Sequence, residues 1–532
     1  MALWKLERYL EGYELHCSYS HHFENDAAAW VIAGMCARRL PDKQGEAEQA
    51  LRRAIALDPR RNDAHYNLGN LLNDAERYQE ACECYVNSLA IDANGPLVWH
   101  NLGMALKELD CIDEAEIAMR TSIKLDPLNA DAWCNLGLVA HSRKNYELSK
   151  RLYLHSIHLD TGHATSWINL GMSLLDEVKP EQALTALRRG HTLDPNSPDA
   201  LFNLALTLLL LGEYDEGWRL YESRFTSKQF KNTLIPSTGP WLSRLEDVQE
   251  KAQSGETVLI WGEQGLGDAI QFVRYFPILQ ELQIPFVFCT QPALIPLFQE
   301  WGPKGIRVLD QNQLAPPWTN APHLALLSLP RLMRSDLATI PMVTPYLEPP
   351  GPPPERLLVP TPPGGIAIGL VWASNPGNKA LYRHKSMPLE LLLPRLLPAL
   401  CNDLIELHSL QVGDDAAQLA PWADLDGIHN WNGKLNNFSD TAHVVHQLDL
   451  LISVDTAVAH LAGALAIPTW ILLPSNADFR WLHNRTDSPW YEMVRLFRQP
   501  GTNDWAGCID QVIDALGEVV GLDLERLAEV EG

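Results

Sequence analysis

Three stretches in the second half of this 532-residue chain carry residue types that could do chemistry. The first is GEQGLGDAIQFVRYFPIL, residues 262–279, where Gly265 and Gly267 precede Asp268 between an apolar run and a helical pattern. A phosphate loop needs Lys and Ser or Thr after its last glycine. Asp268 and Ala269 stand there instead, and a carboxylate repels phosphate. A dinucleotide fingerprint needs a different glycine spacing and an acidic residue ending the next strand. That strand, FVFCT, ends in Cys289 and Thr290. What is left is a loop that lets backbone approach a ligand and offers one carboxylate for general-base work, or a carboxylate that only caps its helix.

The second stretch is ISVDTAVAHLAGALAIPTW, residues 452–470. A strand, an Asp455–Thr456 turn and a helix of small residues present backbone N–H groups near Ala457 and the Thr456 hydroxyl at a helix N-terminus, which favours an anion. His460, one turn further in, reads either as a structural histidine or as a ligand contact. The third is NKALYRHKSMPLELL, residues 378–392, expected as a polar, basic loop before a helix. Arg383, His384 and Lys385 form the compact basic cluster of an acidic region, so a diphosphate fits there; a solvated surface is the alternative.

These stretches must be positioned by something. Around them, TVLIW, IPFVFCT, IRVLD and HLALLSL read as one set of buried parallel strands, and IAIGLVW, DLIELHSL, LDLLISV and PTWILLP as a second. Between the sets, residues 345–365 hold nine prolines in 21 residues, the composition of a stiff extended linker. Two α/β lobes joined by a linker make a cleft.

The first half is different. Trp99, Trp133 and Trp167 recur every 34 residues, as do Leu68, Leu102, Leu136, Leu170 and Leu204, which is the period of a tetratricopeptide repeat. Trp99, Leu102, Gly103 and Leu106 mark one face of a first helix, and the LDP of residues 57–59, 125–127 and 193–195 is read as the stop of one helix and the start of the next. About six repeats are expected, the first of them, near Trp30, degenerate. The domains expected are a repeat array over 1–226, a linker over 227–254, an N-terminal lobe over 255–344, the proline-rich linker over 345–365 and a C-terminal lobe with a final helix over 366–532.

Within the repeats Asn67, Asn101, Asn135, Asn169 and Asn203 hold one position. An amide offers donors and an acceptor, the complement of a peptide backbone. The five amides therefore read as an acceptor-peptide track, or as local bonds between stacked helices.

Composition excludes several partners. A net charge of −24 argues against nucleic acid and anionic membrane. Nine cysteines without framework spacing read as reduced thiols, Cys82 and Cys84 lack the companions of a metal site, and no metal is expected. The N-terminal MALWKLERYLEGYELHC lacks the apolar core of a signal peptide, and no run approaches the roughly 18 apolar residues of a membrane span. A cytoplasmic protein without membrane insertion is expected.

Residues 255–510 resemble GT-B glycosyltransferases of the ADP-heptose transferase type. GLGDAIQ…P is similar to that family's N-lobe loop, HKSMPLELL to its donor-phosphate lysine segment and VDTAVAHLAGAL to its donor-binding turn. The fused repeats resemble O-GlcNAc transferase, and bacterial proteins joining both parts, flagellin-modifying enzymes among them, are similar to the whole chain. The resemblance implies a tetratricopeptide superhelix followed by two Rossmann-like lobes. It implies an inverting, metal-independent transferase without cofactor, taking a nucleotide sugar as donor and a protein hydroxyl as acceptor. Asp268 becomes the base and Lys385 the partner of the departing phosphate. Thr456 and the backbone at Ala457 bind that phosphate, Asp455 and His460 order the turn, and Arg383 and Arg480 are further donor contacts. In O-GlcNAc transferase, asparagines at the matching repeat position hold the peptide. One departure stands out: where heptosyltransferases carry a donor-binding glutamate after the strand similar to LHSLQVG, this chain has Asp414 and Asp415. The DLD of residues 424–426 reads as chance. A non-catalytic adaptor with a degenerate transferase part, and a glycan-directed transferase recruited through its repeats, are the alternatives.

Overall fold

The computed structural model describes residues 8–227, 230, 233–299, 306–360, 365–377 and 379–521. The chain divides into two compact units, residues 1–196 and 197–532.

The first unit is an array of antiparallel helix pairs. After a leading helix, Tyr9–Tyr19, come the pairs Ala27–Arg38 with Gln44–Leu57, Asn62–Asp74 with Tyr78–Ile91, Pro96–Glu108 with Ile112–Leu125, Ala130–Ser142 with Tyr146–Leu159, and Ala164–Asp176 with Pro180–Leu193. The pair containing Trp30, expected to be degenerate, differs from the next four in having a five-residue connection, residues 39–43, where they have three. The glycine of each Asn-Leu-Gly receives a side chain from the helix 16 residues on: a Cβ would lie 2.6 Å from Tyr85 at Gly69, 2.8 Å from Met119 at Gly103, 2.5 Å from Tyr153 at Gly137 and 2.5 Å from Leu187 at Gly171. Close approach of the paired helices, rather than backbone freedom, fixes these glycines.

One reading of the repeat boundaries is corrected. Pro59, Pro127 and Pro195 do not start helices; each lies in the turn, and the next helix opens at Asn62, Ala130 or Pro198. The tight turn inside each of the last four pairs is made by Glu76, Asp110, Lys144 or Val178, 34 residues apart with φ between 58° and 61°. Left-handed backbone at non-glycine residues leaves no compositional signal.

In the second unit, the last helix pair, Pro198–Leu210 and Tyr214–Tyr221, shares a core with the α/β region. Trp218 packs edge-on against Phe272, Phe479 and Trp490. The array expected over 1–226 is therefore divided, because the final pair buries its apolar face on these aromatic residues.

Two parallel sheets follow. The first contains β1 (Val258–Trp261), β2 (Phe286–Thr290), β3 (Arg307–Asp310) and β4 (His323–Ala325), in the order β3-β2-β1-β4. The second contains β5 (Ile366–Val371), β6 (Ile405–Ser409), β7 (Ile428–Asn430), β8 (Leu450–Val454), β9 (Thr469–Leu473) and β10 (Val494–Arg498), in the order β10-β9-β8-β5-β6-β7. All pairings are parallel. The eight anticipated strands are present, while β7 and β10 were not read. In doubly wound orders of this kind, ligands bind beyond the carboxyl ends of the strands where the order reverses, here beside β1 and β4 and beside β5 and β8.

Neither linker is free. Residues 227–254 include the helix Leu245–Gln253, and the Leu242 N–H donates to the His323 carbonyl at 2.8 Å; residues 228, 229, 231 and 232 lie outside the described residues. In the proline-rich stretch Leu347 and Leu357 are fully buried, and the Tyr346 N–H donates to the Ala464 carbonyl at 3.1 Å. Residues 361–364 of that stretch, Asn378, and residues 522–532 of the expected C-terminal segment lie outside the described residues.

Candidate functional site

The loop after β1 and the turn after β8 meet at their glycine and alanine backbones. A Cβ on Gly267 would stand 3.4 Å from the Ala457 Cα and 2.7 Å from the His460 ring. Only hydrogen at that position lets the helix Leu266–Phe272 approach the helix Ala457–Ala464.

Asp268 is the third residue of its helix. One carboxylate oxygen accepts from the Gly265 N–H at 2.8 Å, the capping arrangement, and the other is paired with Arg480. Arg480 also donates to Asp478 at 2.8 Å and lies over the Phe479 ring at 4.4 Å. Burial opposes its charge, but Asp268 and Asp478 hold its pKa well above the ordinary value. The same burial opposes ionisation of Asp478, and Arg480 and Lys385 outweigh it, keeping that carboxyl below the usual range.

Lys385 closes the other side. Its Nζ lies 2.5 Å from Asp455, which in turn lies 3.8 Å from His460 Nε2. Burial works against the Lys385 charge, and Asp455 with Asp478 raises its pKa nevertheless. His460 is held by the Tyr491 hydroxyl at its Nδ1, 2.9 Å away, and stacks on Trp481 with ring centroids 5.2 Å apart. Burial drives its pKa down to about 4 against the pull of Asp455, so it is neutral at pH 7. Thr456 caps its helix through Ala459, bonds Ser453 at 3.0 Å, and stays half-buried together with Ala457.

Asp268, Lys385, Asp455, Thr456, Ala457, His460 and Arg480 thus belong to one region with the Gly265–Gly267 loop. The basic stretch expected as a loop is instead a short helix, Lys379–Lys385, with Arg383 exposed and His384 Nε2 3.3 Å from the Asn476 carbonyl. Asp414 is exposed and stands apart from the network. Its neighbour Asp415 accepts from the Tyr382 hydroxyl at 2.6 Å and from Gln418 at 2.9 Å, which anchors that helix.

Asp478 and Tyr491 were not read. Asp478 lies two residues before Arg480 in the loop after β9, a carboxylate at a strand's carboxyl end, and that position was the available signal. With Asp478 included, three carboxylates face two cations.

The repeat asparagines are all half-buried. Asn101 Nδ2 donates to Asn70 at 2.7 Å and to the Tyr66 hydroxyl at 3.3 Å; Asn135 bonds His100 at 3.1 Å and Asn169 reaches Cys134 Sγ at 3.4 Å. Each bridges to the first helix of the preceding pair. Asn67 bonds its own helix at the Asp63 carbonyl, 2.7 Å away, and Asn203 belongs to the second unit. Nearby, Ile123, Trp133, Leu136 and Leu148 line a concavity flanked by Arg120 and Arg143.

Among the described residues, no helix is long and apolar enough to cross a membrane.

Residues 43–96 and 100–153 match one tetratricopeptide repeat family and residues 192–219 another. The protein FlbA of Caulobacter vibrioides is 28% identical over 357 residues, which make up 60% of this chain and 56% of FlbA, so the chain spans little more than half the length of that relative. Among solved structures, the Cut9–Hcn1 hetero-tetramer of the APC/C is 18% identical with a TM-score of 0.38, over 43% of this chain and 45% of that one. YrrB, a tetratricopeptide protein described as having an unusual peptide-binding site, is 20% identical with a TM-score of 0.30, over 34% and 95%. PilF of Pseudomonas aeruginosa is 20% identical with a TM-score of 0.34, over 38% and 90%. The family matches assign tetratricopeptide repeats to the helix pairs, and stacked pairs of this kind build extended concave surfaces that bind other proteins.

Proposed function

We propose that the chain is a glycosyltransferase of GT-B type, moving a sugar from a nucleotide-sugar donor to a protein hydroxyl presented by the repeats. The observation that carries this reading is the convergence of Asp268 from the carboxyl end of β1 with Lys385, Arg480 and the Thr456 helix N-terminus from the carboxyl ends of β5, β8 and β9. In the reaction the acceptor oxygen attacks the anomeric carbon as its proton passes to Asp268, and the bond from that carbon to the phosphate oxygen breaks. The electron pair leaves on the nucleoside diphosphate. In this reading Lys385 and the Thr456–Ala457 N–H groups meet that charge, an electrostatic contribution of the kind that dominates many enzymes. Sugar inverts in a single displacement, and neither metal nor cofactor takes part.

A second reading, a non-catalytic adaptor, draws on one observation: Lys385 and Arg480 already have carboxylate partners. Calorimetry with nucleoside diphosphates separates the two. Under the transferase reading one of them binds, and Lys385→Ala weakens it by about tenfold or more, the loss of a charge-assisted contact. If none binds, the adaptor reading stands.

A further inference from the structure

Two neighbouring strands assemble a group of ligating side chains that spacing along the sequence did not reveal. Glu406 and His408 are two residues apart on β6, so both stand on one face of the sheet. His429 is the register partner of His408 on β7, the edge strand, which sets the two imidazoles side by side. One potential ligand atom from each of Glu406, His408 and His429 lies within 4.8 Å of the other two, and among the described residues this is the one such trio.

The three side chains are organised toward each other. His429 Nε2 lies 2.7 Å from Glu406 Oε2, and the His408 and His429 rings stack at 14° with centroids 4.7 Å apart. His408 is fully buried; its Nδ1 receives a long 3.4 Å contact from Trp431, and its Nε2 is buried without a hydrogen-bond partner. A buried polar atom left unpaired is unfavourable. Glu406 and His429 keep 18% and 30% of their side-chain surface exposed, so an ion and a water molecule can reach the group from solvent. The cluster lies on β6 and β7, away from Asp455 after β8, and takes no part in the site described above.

We infer that Glu406, His408 and His429 form a binding site for a divalent transition-metal ion, two imidazoles and one carboxylate leaving a fourth position for water. That donor set suits zinc, with nickel and cobalt as chemical analogues. Binding makes each ligating ring nitrogen the unprotonated one, swings the stacked rings until their lone pairs converge, and replaces the Glu406–His429 hydrogen bond with two metal–ligand bonds. The ion ties the short edge strand β7 to β6, and because it binds the folded chain alone it raises apparent stability.

The test uses the full chain, stripped with a chelator and titrated with zinc chloride by equilibrium dialysis. One zinc per chain is expected. The affinity falls by at least about tenfold in both His429→Gln and Glu406→Gln, since even outer-shell partners of a metal are worth 10–100-fold. Cobalt chloride gives the strong visible absorption of a four-coordinate site, and zinc raises the melting temperature of the parent but not of His429→Gln. His429 is at a half-exposed edge, so circular dichroism of that variant should match the parent; if it does not, the cobalt spectrum of the parent decides alone. Absence of stoichiometric zinc, zinc retained by both variants, or a weak six-coordinate cobalt spectrum overturns the site.

Discussion

Arg224 and Glu263, neither with any exposed side-chain surface, are paired at 2.9 Å between the end of the last repeat and the loop after β1. Glu263 also accepts from the Leu327 N–H after β4 at 3.2 Å, and Gln264 donates to the Tyr221 hydroxyl at 2.7 Å. The final helix pair thereby fixes the loop that carries Asp268. Burial raises the Glu263 pKa even with Arg224 opposing it.

Breaking this pair should therefore cost more than removing it. Arg224→Met leaves the buried Glu263 carboxylate without a cation and is expected to destabilise the second unit by about 3–5 kcal/mol, whereas Arg224→Met with Glu263→Gln recovers a large part of that loss. Denaturant unfolding of these two variants and of Glu263→Gln alone measures the coupling; simple additivity contradicts it.

The repeat glycines should differ among themselves. At Gly137 a Cβ meets the rigid Tyr153 ring at 2.5 Å, so Gly137→Ala is expected to cost about 1–3 kcal/mol. At Gly103 the nearest atom is the Cε end of Met119, which can move, and the gain of about 1 kcal/mol in helix propensity offsets the contact. Thermal melts of the two variants should separate clearly, with Gly103→Ala close to the parent.

The array's amides carry helix-to-helix bonds, and this changes what their removal tests. Replacing Asn101, Asn135 and Asn169 together by Ala removes four partly buried bonds and should lower the stability of the repeats by about 2–4 kcal/mol. Asn67→Ala, which loses only a bond within its own helix, should leave it nearly unchanged. A triple variant that melts with the parent would leave the amides free for a peptide.

His460 sets a pH dependence. Its pKa falls from an ordinary 6.5 to about 4 because burial disfavours the imidazolium. The unfolded chain thus binds a proton that the folded chain refuses between those values, and stability present above pH 6.5 is lost as the pH drops toward 4, by about 1.4 kcal/mol per unit. His460→Gln should remove that slope while leaving other buried histidines to titrate as before. Equal slopes in the two proteins contradict the assignment.

The repeats were legible because the same contact recurs every 34 residues: Gly103 faces Met119 as Gly137 faces Tyr153. The strands were legible as apolar runs, β7 and β10 excepted, since IHN is short and polar and VRLFR carries two arginines. Candidate residues such as Asp268 and Lys385 stood out by type. Their partners did not, because Lys385 meets Asp455 across 70 residues and Asp268 meets Arg480 across a fold the local sequence does not encode. The same holds for His408 and His429, joined by strand register alone.

The most direct measurement of the central claim is release of nucleoside diphosphate from a panel of nucleotide sugars by the full chain, followed with and without candidate protein acceptors. The transferase reading predicts release from at least one sugar nucleotide, and a loss of about 10²–10⁴-fold in Asp268→Asn with nucleotide affinity preserved. Release at the parental rate by Asp268→Asn would leave Asp268 as a helix cap, and absence of both release and nucleotide binding in the parent would contradict the transferase itself.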